Sequence, residues 1–236
     1  HEYGHGVSTR LTGGPNNVNC LNNQEQMGEG WSDYFGIALT MKTGDTGPKV
    51  RGMATYANSE PIDGNGIRPA PYSTDFSIND YTYSDLCDGN ITVPHGVGFI
   101  WCTMLWEMTW DLIGKHGFST DFYNANGTAG NQIAMRLIVE ALKLQPCSPG
   151  FVDGRDAIIL ADQIYYGGAN SCTIWGAFAK RGLGYGASQG SSGSRCDGTA
   201  SFITPSTCSL SIEKTADFID EVESGKTITY SLTVSN

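Results

Sequence analysis

The first five residues, His-Glu-Tyr-Gly-His, constrain this chain more than any other feature, because they place two histidines four positions apart. On an α-helix, side chains at i and i+4 share a face. His1 and His5 can therefore direct their imidazoles at one cation, and Glu2 can reach a water molecule on that cation. The pattern predicts that the segment is helical and that it carries two ligands of a metal site.

A metal site of this kind needs a third protein ligand and one open position. The candidate is Glu29, in the stretch Gly-Glu-Gly-Trp-Ser-Asp, 24 residues after His5 (29 − 5). Glu29 and Asp33 are four apart on a predicted second helix, so one carboxylate can bind the metal while the other orients a ligand histidine. The alternative is a solvated helix face. Gly28 and Gly30 favour the metal site, because glycines weaken a helix and suit a close approach by another backbone or a cofactor.

Composition excludes several other classes of function. The net charge is −10 (14 Lys and Arg against 24 Asp and Glu). Without a basic cluster to neutralise phosphates, nucleic acids and anionic membranes are excluded as partners. No apolar run approaches the ~20 residues that cross a bilayer. Glycine is frequent, at 31 residues, and charged residues make up only 16%, which favours a loop-rich extracellular protein.

The pattern of apolar residues predicts a mainly α fold for residues 1–187. Residues 44–90 are rich in Gly, Pro, Asn, Asp and Ser, which predicts a long irregular connection. The predicted helices cover residues 1–8, 24–42, 96–113, 131–144, 154–165 and 171–181.

The character of the chain changes after residue 187. Residues 188–208 have the composition of a linker. Within 209–236, apolar and polar residues alternate along 209–216 and 226–235, which predicts two β-strands. Two strands alone are marginally stable, so they indicate the opening of a truncated β-sandwich.

Four motifs, taken in chain order, resemble the fungalysin family of secreted metallopeptidases, within the thermolysin-like group: HEYGHGVSTRLTGGP, GEGWSD, LQPCSPGFVDGRDAI and CTIWGAFAKRGLG. The resemblance implies the C-terminal helical lobe of a two-lobe zinc endopeptidase that hydrolyses protein or peptide substrates. It implies zinc held by His1, His5 and Glu29, with Glu2 as general base and Asp33 orienting His1.

The same resemblance implies further site residues. His95, in VPHGVGFIW, is similar in placement to the histidine that stabilises the oxyanion; the alternative is a residue packed on the core. Arg68, in GIRPAPYS, resembles the arginine that holds a substrate carbonyl; the alternative is a surface loop arginine. Asp88 is a candidate hydrogen-bond partner of His95. The family usually reads VHAIGEVW, with an acidic residue at the position of Phe99. His116 is interpreted as structural, at a helix C-terminus where a cation is favourable.

Seven cysteines occur without the close pairs of a structural zinc site. They indicate disulfides in an oxidising compartment, with at least one thiol left over because seven is odd. The resemblance implies a bridge between Cys147 and Cys172. Two further candidate pairs are Cys87–Cys102 and Cys196–Cys208.

The stretch from residue 212 onward resembles the start of an immunoglobulin-like repeat of bacterial surface and secreted proteins, with a role in spacing or attachment. The chain is expected to be a fragment that lacks the lobe before His1, and alone to be weakly active or inactive. The parent protein is a candidate to carry an N-terminal propeptide. One alternative function is a catalytically silent surface binding module that keeps the fold. Another is an aminopeptidase, which needs an acidic anchor that the sequence does not provide.

Overall fold

A computed structural model describes residues 1–209, 211–217 and 224–235. These residues form six α-helices, two short 3-10 turns and one antiparallel pair of strands. The helices are α1 (Glu2–Leu11), α2 (Gly28–Ala38), α3 (His95–His116), α4 (Gly130–Leu144), α5 (Phe151–Tyr166) and α6 (Ser171–Lys180); the strands are β1 (Ser211–Ala216) and β2 (Tyr230–Ser235). The mainly α fold expected for the first 187 residues is confirmed.

The longest helix, α3, forms the centre of the helical body. Its residues are apolar on nearly every face, which is typical of a helix that is buried all round. Trp101 and Trp106 are almost completely buried, and α2, α4 and α6 pack against the helix. The apolar faces of the other helices are therefore organised around α3, which also begins at His95.

Small residues let α2 approach both of its neighbours closely. A Cβ atom on Gly30 would lie 2.2 Å from the carbonyl oxygen of Gly98 in α3, and one on Gly4 of α1 would lie 2.7 Å from Cα of Ser32. At Gly28 the nearest atom would be 3.7 Å away. The close approach expected at the two α2 glycines is thus found at Gly30 alone, and it draws α1, α2 and α3 together.

Helix α2 begins at Gly28, later than the pattern of apolar residues predicts. Just before the helix, the backbone amide of Glu25 donates to the carbonyl of Ser192 at 3.2 Å. Ser188 and Thr199 also form an antiparallel bridge. The segment 188–208, which has the composition of a linker, is therefore hydrogen-bonded both to itself and to the helical body.

Three disulfides connect distant parts of the chain, and Cys102 is left as a buried free thiol. The leftover thiol is confirmed, but all three candidate pairings are wrong. Cys102 lies inside α3 and faces the core with 0% exposure, so it cannot reach a surface loop. The amide of Ser148 donates to the carbonyl of Cys20, which sets the loops after α1 and α4 side by side. The observed bridges are Cys20–Cys147, Cys87–Cys196 and Cys172–Cys208.

Strands β1 and β2 pair in antiparallel register, with Ile212 opposite Val234. Two strands were expected here, although Leu210 and residues 220–223 of the predicted turn lie outside the described residues. Tyr230, Leu232 and Val234 are all more than half exposed. Among the described helices, none has the length and apolarity needed to span a bilayer.

Candidate metal centre

The two histidines of the N-terminal motif converge because α1 places them one turn apart. His1 is the N-cap of α1 and His5 lies in its second turn. Their Nε2 atoms are 3.1 Å apart. Glu29, in the first turn of α2, lies opposite, with Oε2 3.4 Å from Nε2 of His1 and Oε1 3.5 Å from Nε2 of His5.

These distances fit one tetrahedrally bound metal ion. Zinc–ligand bonds of ~2.0–2.1 Å in a tetrahedron require ligand atoms to be about 3.3–3.4 Å apart, and the closest separations here, one through each oxygen of Glu29, run from 3.1 to 3.5 Å. Two imidazoles and one carboxylate match the composition of a catalytic zinc site with an open fourth position. Among the described residues, this is the one group of His, Cys, Asp and Glu side chains with such a geometry.

Behind these three side chains, a buried carboxylate and a buried guanidinium form a second layer. Asp33 is completely buried, and its Oδ1 lies 2.8 Å from Nδ1 of His1. Arg68 donates from Nε to Oδ2 of Asp33 at 2.6 Å and from Nη2 to Oδ1 at 2.8 Å. The same Nη2 donates to Oε2 of Glu29 at 3.0 Å. One guanidinium therefore aligns both α2 carboxylates, and Arg68 is buried rather than on a surface loop.

A further residue of this layer, Tyr72, was not singled out from the sequence. Its hydroxyl donates a hydrogen bond to Oδ2 of Asp33. Tyr72 lies four residues after Arg68 in an irregular segment, where spacing does not indicate which side chains share a face. No sequence pattern used above could have found it.

The charges of the site stabilise one another. Hydrogen bonding to Asp33 and then to Glu29 raises the pKa of His1 to about 9. The hydrogen bond with His1 lowers the pKa of Glu29 to about 2, against the opposing effect of burial. Burial would raise the pKa of Asp33, but hydrogen bonds with His1 and Arg68 hold it below the usual range. Without a metal ion, His1 is thus the protonated, positively charged imidazole of the site, and a metal ion bound there would displace that proton.

His1, His5 and Glu29 face an open cavity of about 400 Å³. Glu2 reaches into it, with Oε1 3.9 Å from Nε2 of His1 and a side chain that is 90% exposed. His95 stands on the other side, with Nε2 3.6 Å from Oε1 of Glu29; its side chain is 60% exposed, so it is not packed on the core. The full lining consists of His1, Glu2, His5, Met53, Ala54, Ile67, Arg68, His95 and Glu29. The apolar members of this lining were not singled out from the sequence.

Two residues considered in the sequence lie elsewhere. Asp88 is exposed, and its side chain accepts a hydrogen bond from the amide of Asn90 at 2.8 Å. Within the described residues, it forms neither a hydrogen bond nor an ion pair with His95. His116 lies at the end of α3, where Nε2 is 2.7 Å from Oδ1 of Asn170, so its side chain contacts a neighbouring loop and not the cavity.

Residues 1–187 match the sequence profile of a family described as Fungalysin metallopeptidase (M36). The chain is 46% identical over 193 residues to extracellular metalloproteinase 10 of Coccidioides posadasii and 49% identical over 195 residues to extracellular metalloproteinase 4 of Arthroderma gypseum. It is 50% identical over 191 residues to extracellular metalloproteinase 2 of Phaeosphaeria nodorum. The alignments cover 78–79% of this chain but only 29–30% of each relative. The chain therefore spans about 30% of the length of these curated relatives.

Proposed function

Because the chain belongs to the fungalysin metallopeptidase family, we propose that it is the metal-binding helical lobe of a secreted zinc endopeptidase that hydrolyses peptide bonds in proteins. The observation that carries this proposal is the convergence of two imidazole Nε2 atoms and the Glu29 carboxylate, whose closest atom pairs are 3.1–3.5 Å apart, on an open cavity. The names of the relatives, all extracellular metalloproteinases, support secretion and proteolysis.

His1, His5 and Glu29 would hold the zinc ion. When bound, zinc lowers the pKa of a coordinated water molecule towards ~7 and polarises the scissile carbonyl. Asp33, 2.8 Å from Nδ1 of His1, would keep the imidazole turned so that Nε2 faces the other ligands.

Glu2 would act as the general base. Its carboxylate lies in the cavity beside His1, where it can accept a proton from the attacking water. As the carbon–nitrogen bond of the peptide breaks, Glu2 delivers that proton to the leaving amine, so acid and base roles fall on one residue. Its presence in the cavity argues against a catalytically silent binding module.

His95 and Arg68 would stabilise the oxyanion that develops on the scissile carbonyl. His95 lies on the rim of the cavity, exposed enough to donate to a substrate oxygen. Arg68 uses Nε and Nη2 on the two carboxylates, which leaves Nη1 for a substrate oxygen. Donors fixed in this way act on developing charge without reorganising.

Residues 209–236 would begin an immunoglobulin-like domain that spaces or attaches the enzyme. The antiparallel pairing of β1 and β2 supports this proposal. The exposed row of Tyr230, Leu232 and Val234 is the kind of apolar face that a second sheet covers in a β-sandwich.

The deciding experiment measures zinc content and peptide cleavage in the full-length protein that carries this chain, in wild type and in Glu2→Gln. We expect one zinc ion per molecule in both proteins and cleavage reduced about 10²–10⁴-fold in the variant. Glu213→Gln, an exposed glutamate of β1 outside the cavity, is the matched control and should cleave like wild type. Absence of both zinc and cleavage in wild type would favour the binding module instead, whereas cleavage that survives Glu2→Gln would overturn Glu2 as the general base.

A further inference from the structure

Tyr72 lies behind the metal centre in a position that is fixed from several sides. It is completely buried, and its backbone forms a bridge with Arg51 through hydrogen bonds of 3.0 and 2.9 Å. Its ring packs against Phe99 of α3, with ring centroids 5.4 Å apart. The hydroxyl is thereby held against Oδ2 of Asp33, to which it donates.

The two carboxylate oxygens of Asp33 contact different partners. Oδ1 lies 2.8 Å from Nδ1 of His1 and accepts from Nη2 of Arg68. Oδ2 accepts from Nε of Arg68 and from the hydroxyl of Tyr72. A carboxylate oxygen has about two lone-pair sites, so these two donors fill Oδ2. The plane of the carboxylate is then fixed, and Oδ1 stays turned towards His1.

We propose that Tyr72 is a positioning residue of the metal centre and acts through Asp33. By holding the carboxylate in place, it keeps His1 rotated so that Nε2 converges with the ligand atoms of His5 and Glu29. Without the hydroxyl, Oδ2 retains one donor, and the carboxylate can turn together with the Arg68 side chain. This inference rests on the proposed function, because it takes His1 as a ligand of the metal.

The chain offers a matched control in Tyr34. This residue follows Asp33 on α2 and is also completely buried. Its hydroxyl is hydrogen-bonded to Oγ1 of Thr109 in α3 at 3.0 Å, not to a residue of the metal centre. Tyr34→Phe therefore removes a buried hydroxyl of the same kind and leaves the partners of Asp33 intact.

The test measures the zinc dissociation constant of the metal-free full-length protein by competition with a chromogenic chelator, for wild type, Tyr72→Phe and Tyr34→Phe. We expect zinc to bind about tenfold more weakly to Tyr72→Phe, the size of effect usual for an outer-shell partner of a ligand. Tyr34→Phe should bind zinc like wild type. Equal zinc affinity of wild type and Tyr72→Phe would overturn the inference.

A second variant, Asp33→Asn, tests whether Tyr72 acts through Asp33. In an Asp33→Asn background, Tyr72→Phe should cause little further loss of zinc affinity, because its route to His1 is already broken. If Tyr72→Phe does not fold, Asp33→Asn tests the route on which the inference depends: weakened zinc binding supports that route through Asp33, and unchanged binding overturns the inference. Failure of wild type to bind zinc would overturn the proposed function together with this inference, whereas equal binding by wild type and Tyr72→Phe overturns the inference alone.

Discussion

Two buried charge clusters in this molecule are built from similar side chains, but only one of them borders an open cavity. In the first, at the metal centre, two carboxylates share Arg68, and the imidazole Nε2 atoms converge on an open cavity. In the second, between α3 and α6, one carboxylate, Glu107, meets both Lys180 and Arg181. Arg181 also donates to the backbone carbonyls of Asn79 and Ser73 and is completely buried.

The difference is whether the polar atoms are all paired within the chain. The guanidinium of Arg181 has partners at each of its three nitrogens, so the α3–α6 cluster can only stabilise the fold. At the metal centre, two imidazole nitrogens and the Glu29 carboxylate converge at an open cavity instead. Such a group can exchange its proton for a cation, and burial alone does not distinguish the two clusters.

We expect the largest loss of stability from breaking the cluster between α3 and α6. Glu107→Gln should lower the free energy of unfolding by about 4 kcal/mol, because it leaves Arg181 buried without an opposite charge. Urea unfolding measures this loss, and the zinc affinity of the folded variant should equal that of wild type. Glu140→Gln is the control: its partner Lys143 is nearly half exposed, at 46%, so the cost should be about 0.5 kcal/mol. Weakened zinc binding by Glu107→Gln would mean that the two clusters are coupled.

Breaking the cluster at the metal centre should instead weaken zinc binding and have little effect on stability. His5→Ala should weaken zinc binding by about 3 kcal/mol, roughly a hundredfold, if the ~10–16 kcal/mol typical of a protein zinc site is shared among its ligands. The metal-free protein should lose less than about 1 kcal/mol, because the His5 side chain is 32% exposed. Chelator competition and urea unfolding in the presence of EDTA measure the two quantities. His116→Ala should leave zinc affinity unchanged, and a loss equal to that of His5→Ala would contradict the assignment of ligands.

A further buried carboxylate, Glu25, differs from those of the two clusters because its hydrogen-bond donors are neutral. It accepts from the hydroxyl of Tyr83 and the amide of Phe151, each at 3.0 Å. Burial raises its pKa to about 7, and the nearby carboxylates of Asp197 and Asp153 add to the shift.

The expected effect of Glu25 is a smaller one, on the pH dependence of stability. Since the folded-state pKa exceeds the unfolded value of ~4.3, the folded protein holds the proton more tightly. The stabilising contribution is complete below pH ~4 and is lost as the pH rises through 7. Between pH 5 and pH 8, wild type should therefore lose about 2 kcal/mol more unfolding free energy than Glu25→Gln. Urea unfolding of the metal-free proteins at both pH values measures the difference, and parallel losses would show that Glu25 titrates normally.

The sequence predicted the features that depend on the spacing of residues within one segment. The helices follow from apolar residues recurring every three or four positions, and the distances now measured among His1, His5 and Glu29 agree with the spacing of two helical motifs. The roles of these residues remain proposals. The start of α2 was placed too early: the helix begins at Gly28, and the amide of Glu25 bonds to a segment 167 positions later in the chain (192 − 25).

Contacts between distant segments could not be predicted in the same way. Cys20 and Cys147 are 127 positions apart, and nothing near either residue identifies the other. The hydrogen bond between Tyr72 and Asp33 spans 39 positions and starts in an irregular connection, so no periodicity aims the hydroxyl. Both contacts are consequences of how the helices pack, which the spacing of residues within one helix does not specify.

The disulfides have a consequence for a protein proposed to cut polypeptides. The bridge Cys20–Cys147 overlaps Cys87–Cys196, which in turn overlaps Cys172–Cys208. A single nick anywhere between residues 20 and 208 therefore leaves two pieces that are still covalently joined. Autolysis at one exposed loop would release no fragment, and a nicked molecule would migrate as intact on a denaturing gel until its disulfides were reduced.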